Sequence, residues 1–179
     1  MKLIILDSNG VINEVSQTFI TSLEEWKPIP GSLEAISRLT QAGYRVIIAT
    51  NQSGIGRGLL DMTTFNAIND KMFKAVHHAG GRIDALFFCP HTEQDKCHCR
   101  KPETGMFQEI MQRYSTDLKG VPAVGDSLRD LQAAVEVEAI PILVLTGKGE
   151  MTHANGNLPE GTQIFADLAS VVDTLVKRI

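Results

Sequence analysis

The chain has no apolar run of membrane-spanning length, no excess of positive charge and only three cysteines. Each shortage excludes something. Leu3–Leu6 near the start is too short for a signal-peptide core, and no later stretch reaches spanning length, so a cytosolic protein with no membrane partner is expected. The net charge of -4 argues against a nucleic-acid binder driven by phosphate neutralisation, while leaving room for a local basic pocket that takes a small anion. A disulfide scaffold would spread its cysteines and use an even number of them. Here Cys89, Cys97 and Cys99 cluster, as metal ligands do. Repeats, low-complexity tracts and linkers are also missing. The 179 residues, 43% of them apolar, suit one domain spanning residues 1–179.

What is present is an alternation of apolar runs and helical patterns. Leu3–Leu6, Tyr44–Ala49, Asp84–Phe88, Val121–Val124 and Ile140–Leu145 read as buried strands. Ser32–Gln41 places Leu33, Ile36 and Leu39 at a helical period, with Gly43 as its stop. Met62–His78, Gly105–Tyr114, Leu128–Val135 and Leu168–Ile179 read as further helices, and Met151–Gln163 as a surface loop. The expected fold is α/β: a three-layer, Rossmann-like parallel sheet with helices on both faces.

Polar residues follow three of these strands. Asp7 follows the first, Thr50-Asn51-Gln52-Ser53 the second and Asp126 the fourth. In open α/β sheets ligands bind at that edge. Any one of these residues could merely cap a turn, but three at one edge point to a site. Two carboxylates brought together repel unless a cation lies between them, and Mg²⁺ suits oxygen ligands plus a substrate phosphate. A carboxylate such as Asp7 can also attack phosphorus. Thr50 can donate a hydrogen bond to a phosphoryl oxygen, and Lys101 can neutralise charge developing there. The glycines of Gly54-Ile55-Gly56-Arg57-Gly58 either let backbone approach an anion or make a flexible loop.

Cys89, His91, Cys97 and Cys99 offer three sulfurs and one nitrogen, the closed tetrahedral set of a structural zinc site. His98, between two of them, is expected to be exposed. The loop ends at Arg100-Lys101, so zinc would fix two cations that otherwise wander.

Asp7-Ser8-Asn9-Gly10-Val11, Thr50-Asn51-Gln52-Ser53-Gly54, Arg100-Lys101-Pro102 and Gly125-Asp126-Ser127 resemble, in order, the four motifs of haloacid dehalogenase superfamily phosphatases. Thr50 through Gly58, and Cys89-Pro90-His91 through Pro102, are similar to its histidinol-phosphatase-like branch, which includes heptose bisphosphate phosphatases. The resemblance implies a capless, open site holding Mg²⁺, a structural Zn²⁺, and removal of the C7 phosphate from a heptose bisphosphate. By position, Asp7 would be nucleophile and magnesium ligand, with Asp126 and the Asn9 position as further ligands. Thr50 and Lys101 would hold the phosphoryl group, and Asn51, Gln52, Ser53 and Arg100 would contact substrate. Arg57 is as readily a solvated loop arginine. A cytoplasmic monomer acting on a small phosphorylated sugar is implied.

The chain departs from that pattern in three places. Asn9 stands where the family has the aspartate that protonates the leaving group and then activates water; an amide does neither. Its metal contact in the family is a backbone carbonyl, so magnesium binding should survive. Ser8 replaces the usual arginine, and the loop Glu14-Val15-Ser16-Gln17-Thr18 lacks the acid the family places at position 15. Slowed turnover, a histidinol-phosphate phosphatase (Glu14 and Phe19 are at hand) and a turnover-deficient phospholigand-binding relative all remain open. A DNA-end phosphatase is disfavoured, since no basic strip is visible.

Overall fold

The computed structural model describes residues 1–15 and 19–177. Six strands form one parallel sheet: β1 (Lys2–Leu6), β2 (Tyr44–Asn51), β3 (Ala85–Cys89), β4 (Pro122–Gly125), β5 (Ile140–Val144) and β6 (Gln163–Phe165), in the spatial order β3-β2-β1-β4-β5-β6. The helices are α1 (Ser32–Gln41), α2 (Ser53–Gly56), α3 (Met62–His78), α4 (Gly105–Tyr114), α5 (Leu128–Glu136), α6 (Gly149–Asn155) and α7 (Leu168–Leu175).

The inner strands β1, β2, β4 and β5 are mostly apolar and buried because both faces are covered. Ile4, Leu6, Val46, Ile48, Val124 and Ile142 point into one core with Ile36, Phe65, Met72 and Val172. Leu3, Ile5, Ile47 and Ala123 point the other way, onto Met106, Phe107, Ile110 and Ala134. Each fully buried Ile or Leu contributes roughly 1.5–3 kcal/mol. Helix ends follow local chemistry. Asp61 caps α3 by accepting the Thr64 N–H at 2.7 Å. Gly43, at φ 87°, turns the chain out of α1 in a left-handed conformation that a Cβ disfavours.

The order of strands places the site. From β1 the chain steps to β2 and β3 on one side, then returns to β4, β5 and β6 on the other. The carboxyl ends of β1 and β4 therefore form the switch point where such sheets bind ligands. The Asp7 N–H donates to the Val124 carbonyl at 3.0 Å and locks these ends together.

Two expectations need correcting. Residues 151–163 are not one loop: Met151–Asn155 belong to α6, and Gln163 opens β6. β6 spans three residues on the sheet edge and α6 seven, too short to set a period against the Gly and Pro between them. The last helix was expected to reach Ile179; it ends at Leu175, and residues 178–179 lie outside the described residues.

Candidate active site

Asp7 leaves β1 beside Asp126, and Asp130 approaches both from the first turn of α5. A carboxylate oxygen from each lies within 4.8 Å of the others. Lys101, buried beneath them, is their counter-charge. Its ammonium lies 2.6 Å from Asp130 Oδ1, donates to the Ala49 carbonyl at 2.7 Å, and lies 3.7 Å from Asp7 Oδ1. The second Asp130 oxygen accepts from the Asp126 N–H, the Ser127 N–H and the Ser127 hydroxyl at 2.9–3.2 Å, a capping box at the start of α5. Both Asp130 oxygens are thus taken by protein donors. Among the described residues, Asp7 Oδ2 and Asp126 Oδ1 have no such donor, so these two carboxylates are the natural cation ligands. Asp126 Oδ2 accepts the Lys148 N–H at 2.9 Å.

Close backbone approach makes this geometry possible. A Cβ on Gly10 or on Gly147, both at positive φ, would collide with the Asp126 carboxylate. The Thr146 hydroxyl ties the two loops together by donating to the Gly10 carbonyl at 2.6 Å.

Burial pushes the Asp7 carboxyl up to about 8, against the pull of Lys101 and with Asp130 and Asp126 adding to the rise. Burial and then repulsion from Asp130 push Asp126 up to about 6, against the Lys148 N–H. Burial works upward on Asp130 too, but Lys101 and the Ser127 donors hold it below the usual carboxylate range. Lys101 is pulled down by burial and raised more by Asp130 and Asp7, so it stays charged. Three carboxylates against one ammonium leave surplus negative charge in a confined space. A hard divalent cation fits that donor set.

Thr50, fully buried at the end of β2, accepts from the Ser8 hydroxyl at 3.0 Å and the Gln52 amide at 3.1 Å. Its own proton makes a long contact of 3.5 Å to the Asn51 carbonyl, a weak bond that an outside acceptor could replace. Ser8, in the place of the family's arginine, is buried and orients Thr50. Asn51 forms a reciprocal pair with Lys101: the Lys101 N–H donates to Asn51 Oδ1 at 3.0 Å, and Asn51 Nδ2 donates to the Lys101 carbonyl at 3.1 Å. Asn51 and Gln52 line the pocket, yet both amides hold neighbouring site residues in place.

The pocket above has a volume of about 590 Å³. Asp7, Asn9, Asp126 and Asp130 line it, with Asn51, Gln52, Ser53, Val15 and Phe19 on its walls and Arg57, Arg100, Arg129 and Lys148 also around it. Glu93 lies between two of these cations, 3.2 Å from Arg100 and 3.3 Å from Arg129. Arg57 sits 5.9 Å from the centre of the Phe19 ring. Val15 presents an apolar side chain where the family has an acid, Glu14 is exposed, and residues 16–18 lie outside the described residues. Packing accounts for two of the glycines in residues 54–58: Gly56 donates to the Pro90 carbonyl at 2.9 Å and would clash with it if it carried a Cβ, and Gly54 abuts Phe19.

Cys89 ends β3, paired in register with Asn51. Its sulfur lies 3.6 Å from Cys97 Sγ and 3.6 Å from His91 Nδ1; Cys99 Sγ lies 3.7 Å from Cys97 Sγ and 3.3 Å from His91 Nδ1. Zinc–sulfur bonds of about 2.3 Å give a tetrahedral edge of about 3.8 Å, so the four atoms fit a zinc ion. The Arg100 N–H donates to Cys97 Sγ at 3.3 Å, coupling the cluster to the Arg100-Lys101 pair. His98 is exposed.

Sequence reasoning did not assign Asp130, Arg129, Glu93, Gly147 or Lys148. Ser127 and Asp130 stand three apart, the capping-box spacing, and Thr146-Gly147-Lys148 follows β5 as Asp7 follows β1. Nothing in the sequence singles out Glu93.

A polynucleotide kinase 3 phosphatase family model matches residues 4–129, and a HAD-hydrolase-like model matches residues 98–171. With the fold and the strand-end carboxylates, these matches and the relatives below show that the chain belongs to the haloacid dehalogenase-like phosphatase family. Its similarity to D-glycero-beta-D-manno-heptose-1,7-bisphosphate 7-phosphatase of Bordetella bronchiseptica is 56% identity, covering 99% of each chain. The same-named enzyme of Pseudomonas aeruginosa is 49% identical over 98% of each. A crystal structure of the B. bronchiseptica D,D-heptose 1,7-bisphosphate phosphatase, complexed with magnesium and phosphate, superposes with a TM-score of 0.97 over 99% of each chain. That of the Burkholderia thailandensis enzyme gives 0.79 at 48% identity, covering 99% of this chain and 100% of that one. No helix among the described residues is long and apolar enough to cross a membrane.

Proposed function

We infer that this phosphatase removes the C7 phosphate of D-glycero-D-manno-heptose 1,7-bisphosphate, with Mg²⁺, and slowly. The observation that carries the substrate class is a carboxylate-floored pocket with cations around it: one end suits a metal-bound phosphoryl group, and Arg100 and Arg129 suit a second phosphate. Relatives named for this substrate match nearly the whole chain. An Asp7 carboxylate oxygen attacks phosphorus. Thr50 and Lys101 hold the non-bridging oxygens, with Lys101 steadied by Asp130 and Asn51. Asp7, Asp126 and the Asn9 carbonyl would hold the magnesium, which supplies charge neutralisation. The Cys89, His91, Cys97 and Cys99 cluster would hold a zinc ion, which would fix Arg100 and Lys101.

Asn9 sets the rate. Its Oδ1 accepts from Asn13 Nδ2 at 3.1 Å, so the side chain is oriented but has no proton to give. The chain works as one domain, a cytosolic monomer on a small phosphorylated sugar, without nucleic acid or membrane. The test is a Mg²⁺ assay of both anomers of the heptose bisphosphate, histidinol phosphate and a 3′-phosphorylated oligonucleotide. The bisphosphate should have the highest kcat/KM. Preference for histidinol phosphate or the oligonucleotide would overturn the assignment.

A further inference from the structure

Apart from Asp7, Asp126 and Asp130, Glu93 is the only acid lining the pocket among the described residues. Its Oε1 lies 3.2 Å from Arg100 Nη2 and 3.3 Å from Arg129 Nη1, so one oxygen bridges two guanidinium groups. These are the two cations suited to a second phosphate. In the empty site they already hold an anion, and the anion belongs to the chain itself.

The arginines do not depend on Glu93 for their place. Arg100 follows the cysteine cluster, and its N–H donates to Cys97 Sγ at 3.3 Å. Arg129 lies in the first turn of α5, whose start is held by the Ser127–Asp130 capping box. Glu93 comes from a third element, the single turn Glu93–Asp95, which is closed by a capping box of its own. There Asp95 Oδ2 accepts the Thr92 N–H at 2.7 Å and the Thr92 hydroxyl at 3.0 Å. Three separately anchored backbones thus bring one carboxylate to two arginines. The Glu93 side chain is 63% exposed, so both ion pairs are screened by water and weak. A phosphate, with more charge and more oxygens, competes well against one carboxylate oxygen. Behind the bridge lies a recess of about 690 Å³ that Glu93, Arg100 and Arg129 also line, with Lys96 and His98 on its other walls. A displaced carboxylate has space and positive charge there.

We propose that Glu93 is a built-in stand-in for the second phosphate: its carboxylate neutralises Arg100 and Arg129 in the empty site and competes there with the phosphate that substrate and product both carry. This rests on the second-phosphate reading of the two arginines. Removal of the C7 phosphate leaves the product's other phosphate on the same seat. A contact that holds substrate and product alike does not lower the barrier between them. Competition from Glu93 weakens that shared hold, which frees the product and keeps the empty arginines from collecting stray anions.

The experiment compares the zinc-replete, Mg²⁺-loaded parent with Glu93→Gln and Glu93→Ala, with heptose 1,7-bisphosphate as substrate and heptose 1-phosphate as inhibitor. Both variants should lower KM for the bisphosphate and the inhibition constant of the 1-phosphate together, by roughly 3–10-fold, the size of two exposed ion pairs. The change should fall on KM rather than kcat. Mg²⁺-dependent binding of inorganic phosphate, which reports the Asp7 seat and the fold, should shift far less. With Arg100 and Arg129 both replaced by alanine, Glu93→Gln should have no further effect. Weaker bisphosphate binding in both Glu93 variants would make Glu93 a support for the arginines and overturn the inference, and unchanged binding would overturn it too. If Arg100→Ala weakens the bisphosphate while Glu93→Gln changes nothing, the second-phosphate reading stands and the inference alone fails. If neither arginine variant affects the bisphosphate, both fail.

Discussion

Replacing Asp130 by asparagine probes the residue on which the site's charge balance rests. Asp130 Oδ1 lies 2.6 Å from the buried Lys101 ammonium, and Oδ2 accepts three hydrogen bonds at the start of α5. An amide can keep some of the capping bonds through its oxygen. Its NH₂ group then meets the Lys101 ammonium, donor against donor. Lys101 retains only Ala49 and the more distant Asp7. Breaking one side of a buried pair costs about 3–5 kcal/mol. The retained cap and the Asp7 contact put the expected loss at the lower end, about 3 kcal/mol. Because Asp130 is held below its ordinary range, its contribution is present above about pH 4, its unfolded value, and is lost as pH falls through the folded one. Urea unfolding of both proteins should show the full gap at pH 7 and a narrowing gap below pH 4. A gap under about 1 kcal/mol at pH 7 would refute the reasoning, as would a gap unchanged in acid.

Other consequences follow from the same geometry. With Asp7 pushed up to about 8 and Asp126 to about 6, the metal-free fold binds more protons than the unfolded chain, so its stability should fall from pH 5 to pH 8. Magnesium must displace those protons: calorimetry should show proton release and affinity rising with pH between 6 and 8, and a flat profile would count against these ligands. Arg100→Ala and Arg129→Ala should each weaken binding of a bisphosphate by about 1.5–3 kcal/mol and leave a monophosphate nearly unaffected, read from inhibition constants; equal effects on both would remove the second-phosphate role. Chelating zinc should lower hydrogen-exchange protection from Cys89 to Lys101 and weaken phosphate-ester binding. Normal binding by a folded, verified zinc-free chain would contradict the zinc's positional role.

Much of the sheet was legible because its strands are buried on both faces and bounded by polar turns. Leu3–Leu6 and Ile140–Leu145 stand out for that reason. β6 did not, since three half-exposed residues at an edge carry no period. Asp7, Thr50 and Asp126 could be placed together from their positions at strand ends, and the Cys89, His91, Cys97 and Cys99 cluster from cysteine spacing. Asp130 was hidden because its spacing from Ser127 marks an ordinary helix start, and its pairing with Lys101 joins residues distant in sequence. Asn51 and Gln52, expected against substrate, line the pocket, and their amides also hold Lys101 and Thr50. Spacing cannot show which way an amide is engaged. Glu93 gains meaning only from the two arginines folded around it.

The central claim is that a phosphoryl-transfer site is intact around Asp7 and lacks only its proton carrier at position 9. Steady-state phosphate release from heptose 1,7-bisphosphate with Mg²⁺, compared between the parent chain and Asn9→Asp, tests it most directly. The predicted result is a rise in kcat of roughly 10²–10⁴-fold with little change in phosphate affinity, equivalent to about 3–5 kcal/mol of transition-state stabilisation. An Asn9→Asp variant that folds, binds phosphate and magnesium, and turns over no faster than the parent would contradict it.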